Sequence, residues 1–353
     1  MTSESMYRAS DVRGVHLEIT TRCNARCPMC PRNLSGGRTK AYLPLVELSL
    51  PDIRRILPED FVSRLAFLNM CGNYGDALTA RDTLEVFSYL KAANTEIDLG
   101  LMTNGGGRPP DWWRRLAGVV SRCKFGIDGL EDTNHLHRRD VSWPRLMASV
   151  EAFIGAGGAA EWDFVVFRHN EHQVEAAREL SRRLGFAKFN VRKTPRFLAQ
   201  GRVVQKTPVL DREGRVEYFL EMPSDPRYIN PVYGGYERAV ESAEAHARYL
   251  ETTPVDCKVL GSRQLYISAE GYVFPCCWTG SLYFRPVPES AAWRLIERLP
   301  GGLAALDGRT RPIREIVDGP YFRSLVPETW VAGSQTRRRC TICARACGAE
   351  SPR

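Results

Sequence analysis

No run of the 353-residue chain approaches the roughly 18 consecutive apolar residues that a membrane-spanning helix needs, so an integral membrane protein is not expected. The opening MTSESMYRASDVRGVH lacks the apolar core of a secretory signal, and the chain has no solenoid-type repeat and no low-complexity tail. It also lacks a block of charge of one sign. The net +8 comes from 49 Lys and Arg set against 41 Asp and Glu, with the basic residues scattered, so nucleic acid is not an expected partner. Cysteine, by contrast, is plentiful: eleven are present, and nine fall in two groups, Cys23 to Cys30 and Cys257 to Cys347. A secreted disulfide scaffold is not expected at this length. The composition reads as a reduced, cytoplasmic protein whose thiols hold metal.

The first group stands in EITTRCNARCPMCPRN, where Cys23, Cys27 and Cys30 form C-x3-C-x2-C. Val15, Leu17 and Ile19 alternate with His16, Glu18 and Thr20, which places the cysteines just past the end of a first strand. Three thiolates are one too few to cap a [4Fe-4S] cube, and a coordination position left to a substrate marks chemistry rather than architecture. This spacing after a first strand resembles the radical S-adenosylmethionine (radical SAM) superfamily, with Met29 standing where that family usually has an aromatic residue. The resemblance implies that the open iron holds the amino and carboxylate groups of S-adenosylmethionine. It also implies that one-electron reduction releases a 5'-deoxyadenosyl radical, which takes hydrogen from a substrate. A zinc knuckle is the competing metal reading of the same thiols.

In the second group, LYISAEGYVFPCCW reads as a short hairpin turning at Glu270-Gly271 and delivering Cys276 at its exit. Cys257 precedes it, and Cys340, Cys343 and Cys347 follow as C-x2-C-x3-C. The arrangement resembles the twitch or SPASM-type extension of radical SAM enzymes. Carried over, it implies that Cys257, Cys276, Cys340 and Cys343 hold one auxiliary [4Fe-4S] cluster, with Cys347 a further candidate metal ligand and Cys277 surplus. Four thiolates would satisfy zinc equally well.

Between the groups, strands are expected at 15–20, 65–70, 97–102, 123–127, 162–167 and 187–191. Helical spacing joins Leu84, Phe87 and Leu90; Leu146, Val150, Phe153 and Ile154; and Val174, Ala177 and Leu180. Six strands separated by helical connections imply an α/β fold with parallel pairing, either an open barrel or a doubly wound sheet. The resemblance selects an open six-unit (β/α)6 partial TIM barrel over 1–200. A bridging segment at 201–256 and a small cysteine-rich auxiliary cluster domain at 257–353 would follow.

Functional residues of such a barrel are expected at the C-terminal strand ends. There lie Gly72, Asn73, Tyr74, Gly75 and Asp76 after the second strand, matching the family's glycine-rich loop for the amino group of S-adenosylmethionine. Asn104 and Asp128 follow the third and fourth strands as candidate hydrogen-bond partners of cofactor or substrate. Arg168 and Lys193 follow the fifth and sixth as candidate carboxylate partners, with Arg192 and Arg196 nearby. Cys71 and Cys123 are expected as buried strand cysteines. Arg22, Arg26, Arg32, Arg38 and Lys40, and separately Arg337 to Arg339, flank the cysteine groups, and one or both of these regions are expected to dock an acidic electron donor such as a flavodoxin or ferredoxin.

The expected activity is hydrogen abstraction from a C–H bond of a polar biosynthetic small molecule, leading to dehydrogenation or rearrangement. Only about fourteen residues precede the first strand, too few for a peptide-recognition domain. The alternatives are a maturase acting on a ribosomally made peptide and, in another class, a non-catalytic zinc-binding interaction protein.

Overall fold

The computed structural model describes residues 6–199, 202–234, 243–280, 291–330 and 340–348. Side-chain alternation accounts for its strands. In β1 (Gly14–Leu17), Val15 and Leu17 are fully buried on one face, while His16 and, just beyond the strand, Glu18 take the other. The same alternation continues in register through β2 (Phe67–Met70), β3 (Asp98–Thr103), β4 (Arg122–Gly126), β5 (Ala160–Val165) and β6 (Lys188–Arg192). Val15, Leu68 and Leu99 align across β1 to β3, and Phe125 aligns with Trp162 across β4 and β5, all of them buried. The opposite face is polar: His16, Asn69 and Arg122 lie along one row, and Lys124, Glu161 and Lys188 along the next. Glu161 pairs there with Lys124 at 3.4 Å and Lys188 at 3.6 Å.

All six strands are parallel neighbours, so each connection must travel back over the sheet, and helices fill those returns. They include Thr83–Ala93, Trp143–Gly155 and Val174–Leu184, the spans that carry the apolar spacing, and also Pro110–Ala117. The first return holds Leu50–Ile56, which the sequence reading did not list. Its start is set by a reciprocal Ser49–Asp52 capping box and Pro51 in the first turn.

Two short pairs leave the barrel in the bridging region. One joins β7 (Leu198–Ala199) and β8 (Arg202–Val203); the other joins β9 (Lys206–Leu210) and β10 (Val216–Glu221). The second hairpin lies within the bridging segment, where no strand is expected from the sequence. Its turn signal is Asp211-Arg212-Glu213-Gly214, with Gly214 at φ +89°. The bridging region also holds a helix, Ala243–Thr252, and 235–242 lie outside the described residues.

The C-terminal hairpin joins the main sheet. Here β11 (Gln264–Ile267) pairs in parallel with β1, and β12 (Val273–Phe274) returns antiparallel to it. The result is one eight-stranded sheet of order β12-β11-β1-β2-β3-β4-β5-β6, seven strands parallel and the last reversed. No described helix is long and apolar enough to cross a membrane.

A candidate S-adenosylmethionine and cluster site

A cavity of about 440 Å³ opens at the C-terminal ends of the strands, and Cys23, Cys27 and Cys30 all line it. The loop that carries them is held by its own backbone, with the Cys30 amide donating to the Cys27 carbonyl at 3.1 Å. None of the eleven cysteines forms a disulfide. Burial pushes all three thiols up, Cys23 further through the charge of Asp76, and Cys27 to about 11 despite the opposing charge of Arg138. As free thiols they would stay protonated at neutral pH, whereas a bound metal supplies the positive charge that stabilises thiolates in such a place. Three half-buried thiols lining one cavity match the number that caps a cubane while leaving one corner for another ligand.

The loop after β2 borders the same cavity through Gly72 to Asp76. Its glycines are demanded by space: a Cβ on Gly72 would lie 2.0 Å from the Gly75 carbonyl oxygen, and one on Gly75 would lie 1.8 Å from that of Thr20. Asp76 is buried and closes the loop onto β3. It accepts from the Thr103 hydroxyl at 2.8 Å, the Asn104 amide at 2.7 Å and the Asn104 side chain at 2.8 Å. Burial pushes the Asp76 carboxyl up against those hydrogen bonds. Asn104 also donates to Asn24 at 2.9 Å, and its Nδ2 lies 3.8 Å from Cys23 Sγ, so loop, third strand end and first cysteine form one unit.

Asp128 does not line the cavity, in contrast to the expectation that it would meet cofactor or substrate. It is fully buried, with Oδ1 accepting from the Val165 amide at 2.7 Å and Oδ2 facing His137 Nδ1 and Arg138 Nε, both at 2.6 Å. Arg138 and Asp128 thus form a buried ion pair. Burial raises the Asp128 carboxyl, but Arg138 and the hydrogen bond from His137 outweigh it and hold it near 2. Burial lowers His137 and leaves it neutral at pH 7, so Arg138 is the balancing charge. Arg138 reaches on to Cys27, its Nη1 lying 3.9 Å from the sulfur, and it lines the cavity with His137. Sequence reasoning missed both residues. Their only signal is the run His-Leu-His-Arg-Arg at 135–139, which sits beyond any strand end.

The cations divide. Arg192, Lys193 and Arg196 border the cavity; Arg168 does not, and it faces Glu221 of β10 at 3.7 Å. Arg192 is paired with Asp163, and Arg196 donates to the Met29 carbonyl at 2.7 Å. Asn170, close to Arg168 in sequence, is buried, and its side-chain NH2 donates to the Asp128 and Val165 carbonyls. Cys123 sits in the core as expected, but Cys71 lines the cavity, 3.4 Å from Met102 Sδ. Among the basic residues around the first cysteine loop, Arg32 is buried against the Thr21 carbonyl and Arg26 is paired with Asp140. Arg337 to Arg339 lie outside the described residues.

Five C-terminal cysteines gather at a second place. Cys257 and Cys347 share a hydrogen bond, Cys340 and Cys343 share another, and Cys276 acts electrostatically on both pairs. The hydrogen bond with Cys257 holds the Cys347 thiol below its ordinary value, aided by Lys258. Cys277 has different company: after burial and Cys276, it feels Cys71 and Glu18 of the barrel. Among the described residues no group of three or more Cys, His, Asp or Glu side chains is placed to hold a single metal ion; four of these thiols are the number that caps an iron-sulfur cubane.

The family model for the radical SAM superfamily matches residues 17–180. PqqA peptide cyclase of Methylobacterium sp. (strain 4-46) is 23% identical over 307 residues, covering 83% of this chain and 72% of that protein. GTP 3',8-cyclase of Staphylococcus epidermidis is 21% identical over 167 residues, covering 46% of this chain and 48% of the cyclase, so the chain spans about half the length of that relative. Among solved structures, Streptococcus suis SuiB bound to its precursor peptide SuiA gives a TM-score of 0.53 at 12% identity, covering 95% of this chain and 71% of that one. Native anSMEcpe with bound AdoMet gives 0.51 at 12% identity, covering 95% and 88%. These likenesses establish the fold, an α/β architecture with a mostly parallel sheet consistent with a radical SAM partial barrel.

Proposed function

We propose that this protein is a radical SAM enzyme that modifies a C–H bond of a peptide. The observation that carries the first half is the shared cavity. Three thiols, the glycine-tight loop 72–76 and the Asp76–Asn104 unit border one space at the strand ends. Cys23, Cys27 and Cys30 would hold a [4Fe-4S] cluster, which when bound supplies the electron that breaks a carbon–sulfur bond of S-adenosylmethionine and so begins hydrogen abstraction.

The chain's own residues do the rest. The loop from Gly72 to Gly75 would receive the amino group of S-adenosylmethionine, and Asp76 with Asn104 keeps that loop against the first cysteine. Arg138 sets positive charge beside Cys27 and is itself held by Asp128. Lys193 would offer its ammonium to a carboxylate of cosubstrate or substrate. Cys257, Cys276, Cys340, Cys343 and Cys347 would hold an auxiliary cluster within a C-terminal unit over 257–353. A flavodoxin- or ferredoxin-like donor in a reducing, cytoplasmic setting is the partner this chemistry requires.

The peptide reading rests on alignment length. The relative that matches over most of the chain is a peptide cyclase by name, whereas the match to a nucleotide cyclase spans under half of the chain. A small polar molecule is the second reading, favoured by the three cations at the cavity rim. Anaerobic incubation with S-adenosylmethionine, dithionite and a peptide encoded beside the gene should give 5'-deoxyadenosine together with a peptide of altered mass. Formation of 5'-deoxyadenosine without any change in candidate peptides would favour the small molecule, and its complete absence would remove the enzyme reading.

A further inference from the structure

Glu18 takes no part in the chemistry described so far, yet it is 1% exposed and lies between the proposed cosubstrate loop and the C-terminal part of the chain. A carboxylate so deeply buried is costly unless donors surround it. They do: Oε1 accepts from the Tyr74 amide at 2.6 Å and the Gly75 amide at 3.1 Å, the Asn73 amide also hydrogen-bonds to the group, and Tyr266 donates to Oε2 at 2.6 Å. Tyr266 belongs to β11, which pairs with β1 and so with the strand leading into Glu18.

We propose that Glu18 and Tyr266 form a positioning pair that fixes the loop 72–75 from behind, so that the S-adenosylmethionine site takes its shape partly from the C-terminal strand. The inference rests on the reading that this loop receives the cosubstrate.

Backbone geometry gives the reason. Within one trans peptide unit the N–H and the C=O point in opposite directions. The Tyr74 amide faces Glu18, so the Asn73 carbonyl faces away from it, and Cys30 Sγ lies 4.0 Å from that oxygen. Drawing the amides toward Glu18 therefore presents a carbonyl acceptor on the cysteine side, where an ammonium group would be received. The loop has no slack to find this shape alone, because the sites of both glycine Cβ atoms are already filled by carbonyl oxygens.

Tyr266 is fixed in turn. Its ring packs edge-on against His16 at 5.1 Å, and a Cβ on Gly280 would lie 2.5 Å from it. Gly280 ends the short helix Cys277–Gly280, which follows Cys276 directly. A continuous packed path thus runs from the C-terminal cysteines through Tyr266 and Glu18 to the loop.

The test uses the full chain, reconstituted anaerobically, as parent, Tyr266→Phe, Glu18→Ala and Glu18→Gln. Three quantities are read: the dissociation constant for S-adenosylmethionine, iron per chain, and hydrogen exchange of the amides at 73–75. Tyr266→Phe should weaken S-adenosylmethionine roughly five- to tenfold, the size of one ordinary lost hydrogen bond, and should speed exchange at 73–75 with iron content unchanged. Glu18→Ala should weaken binding further. Glu18→Gln should restore both quantities toward the parent, since its amide oxygen can accept from the loop while its NH2 donates to Tyr266. Parent-like affinity and exchange in both Tyr266→Phe and Glu18→Ala would overturn the positioning pair alone. Failure of the parent to bind S-adenosylmethionine would instead remove the function on which the pair rests, whatever the exchange at 73–75 shows.

Discussion

Replacing Asp128 by Asn removes the negative half of a pair whose other half, Arg138, has a side chain only 20% exposed. Breaking one partner of a buried ion pair costs about 3–5 kcal/mol, because the remaining charge stays out of water without compensation. The carboxyl itself gives an independent figure. It moves from 3.8 to about 2 on folding, which at ~1.4 kcal/mol per unit corresponds to about 2–3 kcal/mol. With the partial exposure of Arg138, we expect Asp128→Asn to lose about 3 kcal/mol at pH 7. The group's value is depressed in the folded state, so its contribution is complete above the unfolded value and fades as pH falls toward 2. The loss should therefore be constant between about pH 8 and 5. Urea unfolding of the reduced, chelator-treated chain at unchanged slope measures it without interference from metal loss. Arg138→Met in the Asp128→Asn background should return about 2 kcal/mol, since no buried charge is then left alone. A single-mutant loss below about 1 kcal/mol, or strictly additive losses in the double mutant, would refute the assignment of this pair as a buried strut beneath Cys27.

His169 supplies a second pH handle. Its ring stacks on Phe167 at 5.5 Å, its Nε2 is buried without a hydrogen-bond partner, and burial, with help from His137, lowers it to about 4. The unfolded chain takes up a proton near pH 6.5 that the folded chain refuses, so stability should fall as pH drops from about 6.5 toward 4, and His169→Leu should flatten that slope in thermal unfolding. Gly75→Ala should abolish S-adenosylmethionine binding, measured by equilibrium titration, because its methyl group would overlap the Thr20 carbonyl; wild-type affinity would show that the loop is looser than described. Cys276→Ala should lower iron from about eight to about four per chain while the remaining cubane still responds to S-adenosylmethionine. Unchanged iron would place Cys276 outside any cluster.

The barrel was legible because its signals are local. Alternation in β1 to β6 and the three-residue steps of the crossover helices read directly as elements, and the Glu270-Gly271 turn marked the C-terminal hairpin. What the sequence hid depends on contacts between distant segments. Nothing in LYIS announces that β11 pairs with β1 across some 250 residues, or that Tyr266 meets Glu18. Asp128 stands at a strand end, which suggested a ligand, yet His137 and Arg138 fold back and enclose it. Arg168 was misread for a related reason: β5 ends at Val165, so three more residues carry the arginine out to Glu221. Cys71, read as core, reaches the cavity because it follows β2 on the polar face shared with His16 and Asn69.

The central claim is that Cys23, Cys27 and Cys30 present a cubane with one iron available to S-adenosylmethionine. Electron paramagnetic resonance of the anaerobically reduced protein, recorded before and after adding S-adenosylmethionine, tests it most directly. We predict a [4Fe-4S] signal that shifts on addition, and loss of that shifting component when all three cysteines become alanine. A signal indifferent to S-adenosylmethionine, or one that survives the triple substitution unchanged, would contradict the account.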